Sequence, residues 1–143
     1  MDRFPLYVYL HPVWQLATLA VGLYLAMTAL PNVDNPNFRV RAHERLGRIF
    51  VILILAGAVF GKLVVATLPP DTLQIPGHRF LSVTIVALVI VGSIFGYQGG
   101  RLRLRVKTGM MRAHPWLLVL AVALLVGQGL LAIGSKGLKL LKF

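Results

Sequence analysis

The chain has 143 residues, of which 57% are hydrophobic and 13% are charged, and its mean hydropathy is +0.79. A soluble domain of this length is rarely so apolar, so the composition indicates an integral membrane protein. Cysteine is absent, which excludes disulfides, thiolate-bound iron–sulfur clusters and thioether attachment of a c-type haem.

Four long apolar stretches follow one another with short connections between them. About 20 helical residues cross a hydrocarbon core of roughly 30 Å, and we predict spans over residues 6–30, 45–68, 78–98 and 111–133. The first stretch is too long for the core of a signal peptide, so we expect a retained helix. The sequence therefore predicts an all-α fold, an up-down bundle of four transmembrane helices that forms one domain over residues 1–143.

Each predicted span carries one histidine near its start, and the chain has no others: His11, His43, His78 and His114. Successive helices in an up-down bundle reverse direction, so the first and third histidines face one membrane surface and the second and fourth face the other. Two opposed neutral imidazoles are the axial ligands of a b-type haem. The pattern predicts two haem b cofactors whose irons are ligated by these four histidines. From the rise per residue between the two ligand depths, we expect the irons to lie on the order of 20 to 30 Å apart.

A glycine repeat accompanies the histidines of the second and third spans. Gly57 and Gly61 follow one histidine by 14 and 18 residues, and Gly92 and Gly96 follow the other by the same offsets. Residues 18 apart lie on the same helix face, and glycine lets a flat macrocycle approach the backbone. We therefore predict that these glycines contact the haems; the alternative is that Gly-x-x-x-Gly packs helices together in lipid.

The first and fourth spans each contain a His-Pro step, at His11 and His114. A tryptophan follows each step, at Trp14 and Trp116. Proline disfavours helical geometry in the residue before it, so we expect a bend or a helix start at each of these histidines. The tryptophans are typical either of anchors at the membrane interface or of cofactor contacts.

The placement of the four histidines resembles that of the cytochrome b561-type membrane proteins. In that family four core helices supply four histidines, and alternate helices ligate the same haem, which implies that His11 pairs with His78 and His43 with His114. Residues 39–47, Arg-Val-Arg-Ala-His-Glu-Arg-Leu-Gly, together with residues 76–79, Pro-Gly-His-Arg, are similar to a four-helix membrane family of cyanobacteria and chloroplasts. The two outer helices of the better-known b561-type proteins are missing, and no lysine-rich motif indicates ascorbate as the electron donor.

The basic residues lie mainly in connections and at chain ends. Nine belong to the first and third connections and their flanks, at positions 39, 41, 45, 48, 101, 103, 105, 107 and 112, against six on the other side, at positions 3, 62, 79, 136, 139 and 142. The excess favours a cytoplasmic or stromal side for the first group, which places both termini on the periplasmic or lumenal side. We expect these residues to meet membrane lipids and not nucleic acid.

Arginines lie close in sequence to the predicted ligands. Arg79 follows His78, and Arg112 precedes His114 by two residues. We predict that Arg79 and Arg112 pair with haem propionates, because arginine binds carboxylates with two hydrogen bonds. Snorkelling of these side chains to lipid phosphates is the alternative.

The chain offers no catalytic residues of its own. Its four acidic residues, Asp2, Asp34, Glu44 and Asp71, lie in connections or at helix ends, so no carboxylate pair is predicted within the membrane. Six polar residues within the spans are expected to hydrogen-bond between helices or to orient an imidazole through its second nitrogen: Gln15, Thr18, Tyr24, Ser82, Thr84 and Gln128.

The sequence thus predicts transmembrane electron transfer in a bacterial inner or thylakoid membrane. The protein would be free-standing, a homo-oligomer, or a membrane subunit of a larger redox or photosynthetic complex, with a quinol or a protein as redox partner. Two alternatives remain open: a haem-free structural or assembly subunit, and an anchor subunit with one haem.

Overall fold

In a computed structural model, the described residues are 5–32, 39–68, 75, 77–101 and 109–134, with only the backbone described at 99–101 and 110. They form four helices: α1, Leu6–Ala29; α2, Val40–Ala66; α3, His78–Arg101; and α4, Gly109–Ala132. All four are long and apolar enough to cross a membrane. The predicted all-α fold with four transmembrane helices is therefore confirmed. Of the basic residues discussed above, those at positions 3, 103, 105, 107, 136, 139 and 142 lie outside the described residues, as does Pro76.

The predicted start of the second helix, at residue 45, is wrong. Helix α2 begins at Val40, and the amides of Ala42 and His43 both bond to the carbonyl of Arg39, at 3.1 Å each. Hydropathy alone misses this turn, because arginines are excluded from hydrocarbon but not from a helix that extends into the headgroup region. His43 consequently lies on the helix and not on the connection before it.

Of the two outcomes expected at the His-Pro steps, a bend or a helix start, the helix start is wrong. Helix α1 runs through Pro12, and α4 runs through Pro115. In each case the proline is the seventh helical residue. A proline there removes one amide donor near the helix end, which a transmembrane helix tolerates where neighbouring helices pack against it. Both histidines therefore lie within a helix, in the second turn after its start, and a bend at these steps stays a prediction.

Helix α3 begins beside a glycine that has a left-handed backbone. Gly77 has φ +77°, a conformation that costs glycine little and other residues much more. Its carbonyl accepts a bond of 2.9 Å from the amide of Leu81, and the amide of His78 bonds to the carbonyl of Ile75 at 3.1 Å. This turn places His78 at the first position of α3.

The helices pack in a ring in chain order. Helix α1 contacts α2, α2 contacts α3, α3 contacts α4, and α4 closes the ring against α1, with the α3–α4 interface the most extensive. Helices α1 and α3 are therefore diagonally opposite, as are α2 and α4. The histidines that face the same membrane surface lie on diagonally opposite helices, so each pair spans the interior of the bundle.

A small apolar core fills the middle of the bundle. Phe50, Ile85, Val89 and Ala121 are almost fully buried, and they join side chains from all four helices in one cluster. Many large apolar side chains on the outside are exposed, including Leu16 at 67% and Trp116 at 69%. Such a surface is unfavourable in water but matches lipid tails, as expected for four membrane-spanning helices.

Gly22 provides a test of this packing. A Cβ at Gly22 would lie 2.8 Å from Cε2 of Phe50 and 3.0 Å from Cγ2 of Val122, and Phe50 is too buried to move aside. We expect Gly22→Val to lower the thermal midpoint of the detergent-solubilised protein, because overpacking a core costs about 1–3 kcal/mol. Gly129→Val is the matched control, since nothing lies within 4 Å of a Cβ at that position. Equal midpoints for the two variants would contradict the packing described here.

Candidate cofactor-binding site

The structure brings His43 and His114 together across the interior of the bundle. Their ring centres are 6.1 Å apart, and the ring planes are almost perpendicular, at 87°. Both side chains are half-buried. The two imidazoles therefore meet between the diagonally opposite helices α2 and α4.

A backbone carbonyl of the neighbouring helix orients the His114 ring. Its Nδ1 lies 2.7 Å from the carbonyl oxygen of Gly92. A carbonyl only accepts hydrogen bonds, so Nδ1 must carry the proton and donate it. In a neutral imidazole the lone pair is then on Nε2. This is the arrangement typical of a metal-binding histidine, whose second nitrogen donates to a carbonyl or carboxylate.

The second glycine of each Gly-x-x-x-Gly motif makes room for an imidazole. A Cβ at Gly96 would lie 2.7 Å from Cε1 of His114, and a Cβ at Gly61 would lie 2.7 Å from Cε1 of His11. Real Cβ atoms do not approach other atoms so closely, so any side chain at either glycine would displace the ring. The repeat therefore places a histidine of α1 against α2 and a histidine of α4 against α3.

The first glycine of each motif contacts other side chains. Gly57 faces Trp14 and Gln15 of α1, and Gly92 faces Leu117 and Leu118 of α4. All four glycines therefore let adjacent helices approach, the role that the sequence left open as the alternative. Contact between these glycines and a haem stays a prediction.

The other predicted pair, His11 and His78, lies at the opposite end of the bundle, on the diagonally opposite helices α1 and α3. His11 packs edge-on against Phe60, with ring centres 6.0 Å apart, and its Nδ1 is buried without a hydrogen-bond partner. A buried nitrogen of this kind costs free energy unless it gains a ligand or a hydrogen bond.

His78 has two polar neighbours, Gln128 of α4 and Ser82 of its own helix α3. The amide nitrogen of Gln128 lies 3.1 Å from Nε2 and 3.3 Å from Nδ1 of His78, and it donates to Oγ of Ser82 at 2.7 Å. Gln128 is only 8% exposed. The expectation that Gln128 and Ser82 bond between helices is met, and both do so beside a predicted ligand.

The His43–His114 geometry fits an iron held between two imidazoles. Each metal–imidazole bond is about 2 Å and each ring nitrogen lies about 1 Å from its ring centre, so in-line ligation needs ring centres roughly 6 Å apart. The 6.1 Å separation meets this requirement. Perpendicular rings are compatible with it, because the angle between the two ring planes does not change the distance from either nitrogen to the iron.

Other kinds of metal site are not supported in the part of the chain that the structure describes. There, no group of three or more His, Cys, Asp or Glu side chains is close enough to hold a metal ion. A structural zinc ion takes four protein ligands, and a catalytic one takes three. Two imidazoles on diagonal helices instead match a metal whose remaining ligands come from a macrocycle.

The arginines predicted to bind propionates lie at the surface. Arg79 and Arg112 are both exposed, on the first turns of α3 and α4, which enter the bundle from opposite sides. Their positions suit a negatively charged group at the membrane surface, from either a cofactor or a lipid. The pairing with propionates stays a prediction.

Comparison with known proteins adds no further constraint. No family model, no curated protein and no solved structure matches this chain. The class that the fold defines is that of integral membrane proteins with four transmembrane helices, and the case for its function rests on its own residues.

The orientation of His114 predicts a specific tautomer. Ring ¹⁵N NMR of the haem-free protein should show Nδ1 protonated and Nε2 unprotonated for His114, because Nδ1 donates to Gly92. Gly96→Ala should shift both resonances, since the added Cβ displaces the ring. Gly109 lies on the same helix as His114, and nothing lies within 4 Å of a Cβ added there. Gly109→Ala should therefore leave both His114 resonances in place. An Nε2-protonated ring in the parent protein would contradict the arrangement.

Proposed function

We propose that this protein carries electrons across a membrane through two b-type haems, one held by His43 and His114 and the other by His11 and His78. The observation that carries the proposal is the 6.1 Å separation of the His43 and His114 rings on diagonally opposite helices. The resemblance to cytochrome b561-type proteins, which rests on the same four histidines, supports the same assignment.

Different residues would bind the iron, orient the ligand rings and leave space for them. His114 presents Nε2 because Gly92 holds its Nδ1 proton, and Gly96 leaves space for the ring. His11 occupies the equivalent notch at Gly61. When bound, each haem supplies a one-electron iron couple whose potential depends partly on its axial ligands.

A packed apolar core lies between the two histidine pairs. The core around Phe50, Ile54 and Val89 lies on the same helices as both histidine pairs. It separates the two ends of the bundle with packed apolar side chains. A haem at each end would then give electrons a route between the two membrane surfaces.

The apolar outer surface and the distribution of basic residues support a proposal for the membrane location and orientation of the protein. We propose that it resides in a bacterial inner or thylakoid membrane, with its termini on the periplasmic or lumenal side because basic residues are more numerous in the first and third connections. Its redox partners are a donor at one surface and an acceptor at the other, a quinol or a protein. The connections between the helices are short, so a role as a subunit of a larger redox complex suits the protein as well as a free-standing one.

The first experiment is a reduced-minus-oxidised spectrum of the protein purified from its native membrane, with haem quantified by the pyridine haemochrome method. Two b-type haems per chain are expected. One haem would restrict ligation to a single pair, and none would support a structural or assembly subunit whose histidines only pack against glycines.

Single substitutions test the pairing. His43→Ala and His114→Ala should remove the same spectral component, and His11→Ala and His78→Ala should remove the other, because each haem needs both of its axial ligands. Thr84→Ala is the control: Thr84 lies on α3 and donates to the carbonyl of Phe80 in its own helix, so both components should remain.

Chemical rescue separates ligation from folding. In His114→Gly, added imidazole should restore the missing component, since it supplies the lost ligand to a site that is otherwise intact. If His43→Ala and His114→Ala removed different components, the proposed pairing would be wrong.

A further inference from the structure

The outer face of α2 is basic near the start of the helix and apolar beyond it. Its residues recur every three or four positions, and all are exposed: Arg41, Arg45, Arg48, Ile52, Leu55 and Val59. Side chains with this spacing lie on one side of a helix. The buried residues Phe50, Ile54 and Val64 lie on the other side, so spacing and burial both assign this face to the outside of the bundle.

The basic cluster distinguishes α2 from the other three helices. Along its length α1 has no basic residue, α3 has one arginine near each end, Arg79 and Arg101, and α4 has only Arg112. Among the described residues, the one salt bridge joins Arg48 to Glu44 at 3.9 Å. Glu44 is also the only acidic residue in the described part of the chain, so the cluster on α2 keeps a net positive charge there.

Arg41 and Arg45 are spaced to bind one anion between them. Residues four apart on a helix have Cβ atoms about 5–6 Å apart, and like charges at this spacing destabilise the helix. An anion between the two guanidinium groups removes that repulsion. With Arg39 they line an open depression of about 520 Å³, far more than the roughly 30 Å³ that a water molecule takes. Phosphate suits such a site, because a guanidinium can bind it with two parallel hydrogen bonds.

An apolar groove continues the same face toward the other membrane surface. It begins one turn beyond Arg48, and its lining consists of Ile52, Leu55, Ala56, Val59, Phe60 and Leu63. Residues 52–63 rise about 16 Å along α2, which is close to half of the roughly 30 Å hydrocarbon core. The groove therefore has the length of one lipid leaflet.

A second copy of this chain fits the face less well. Two copies paired through it about an axis along the membrane normal would place the three arginines opposite their own counterparts. Like charges in such positions repel each other. An anionic lipid instead matches both parts of the face, since its phosphate meets the arginines and its acyl chain meets the groove.

We propose that the outer face of α2 binds one anionic phospholipid, with the headgroup phosphate between Arg41 and Arg45 and an acyl chain in the groove from Ile52 to Leu63. The site is independent of haem. It differs from general contact between basic residues and lipid, because it takes a single lipid of defined charge. His43 lies between the two arginines in the chain, so the lipid also stabilises the helical turn that carries a predicted ligand.

The test is native mass spectrometry of the full chain in a neutral detergent. The probes are dioleoyl phosphatidylglycerol and dioleoyl phosphatidylcholine, which have the same acyl chains and differ in net charge. One phosphatidylglycerol per chain should bind in preference to phosphatidylcholine. Replacing both arginines, Arg41→Gln with Arg45→Gln, should weaken phosphatidylglycerol binding about fivefold for each charge removed. Equal affinities of the parent chain for the two lipids would overturn the proposal, as would an unchanged affinity in the double variant.

Two further variants separate local charge and geometry from total charge. Lys62 is an exposed basic residue near the other end of α2, so Lys62→Gln should leave the phosphatidylglycerol affinity unchanged. A loss equal to that of the arginine variant would show that net charge alone acts, against a defined site. Arg41→Lys with Arg45→Lys keeps both charges but lacks the paired hydrogen bonds, and an intermediate affinity is expected.

The groove is tested with a larger side chain. Val59→Trp should weaken phosphatidylglycerol binding, because the indole fills the space assigned to the acyl chain. Leu16→Trp, at a position of α1 that is 67% exposed, is the matched control and should have no effect. Displacement of the lipid by millimolar inorganic phosphate would indicate a site for free anions and contradict the acyl-chain contact. A dimer that phosphatidylglycerol does not dissociate would assign the face to a second copy and reject the lipid.

Discussion

A neutral imidazole inside an apolar helical bundle needs a partner for both its N–H and its lone pair, because lipid and apolar side chains provide neither. His114 meets the first need with the Gly92 carbonyl. His78 contacts Gln128, while His11 keeps a buried Nδ1 without a hydrogen-bond partner. The histidines at the two ends of the bundle thus differ in how far their N–H groups and lone pairs are satisfied. A bound metal is one way to satisfy a lone pair.

Close helix approach is what brings the imidazoles to their positions. Gly61 and Gly96 receive the rings of His11 and His114 in the space where other residues have a Cβ. In a membrane, where lipid tails are as apolar as the side chains, such close contact is a main source of helix association. The same glycines thus contribute to packing between helices and to the placement of the histidine rings.

The two ends of the bundle are related but not equivalent. Helices α1 and α4 each carry a His-Pro step with the proline at the seventh position, and α2 and α3 share their histidine and glycine offsets. Exchanging the two helices of each kind exchanges the histidine pairs, as in an inverted repeat. Gln128 and Ser82 break this correspondence at one pair, because Leu25 and Gly47 stand at the equivalent positions of the other.

The sequence by itself determined the number of helices, their approximate extents and the surface toward which each histidine faces. These features depend on hydropathy, length and direction reversal, which are local or follow from chain order. It did not reveal that α2 begins at Val40 or that α1 and α4 continue through their prolines, because polar turns and proline tolerance depend on the surroundings of the helix.

Only the tertiary structure decided which atoms meet. The partner of His114 is a backbone carbonyl, which every residue has, so no residue type signals it. The contact of Gln128 with His78 joins residues 50 apart in the chain, and the notches at Gly61 and Gly96 acquire their occupants only when helices pack in a particular rotation. Such contacts depend on the relative positions of whole helices, because side-chain packing across an interface leaves no periodic trace in either helix alone.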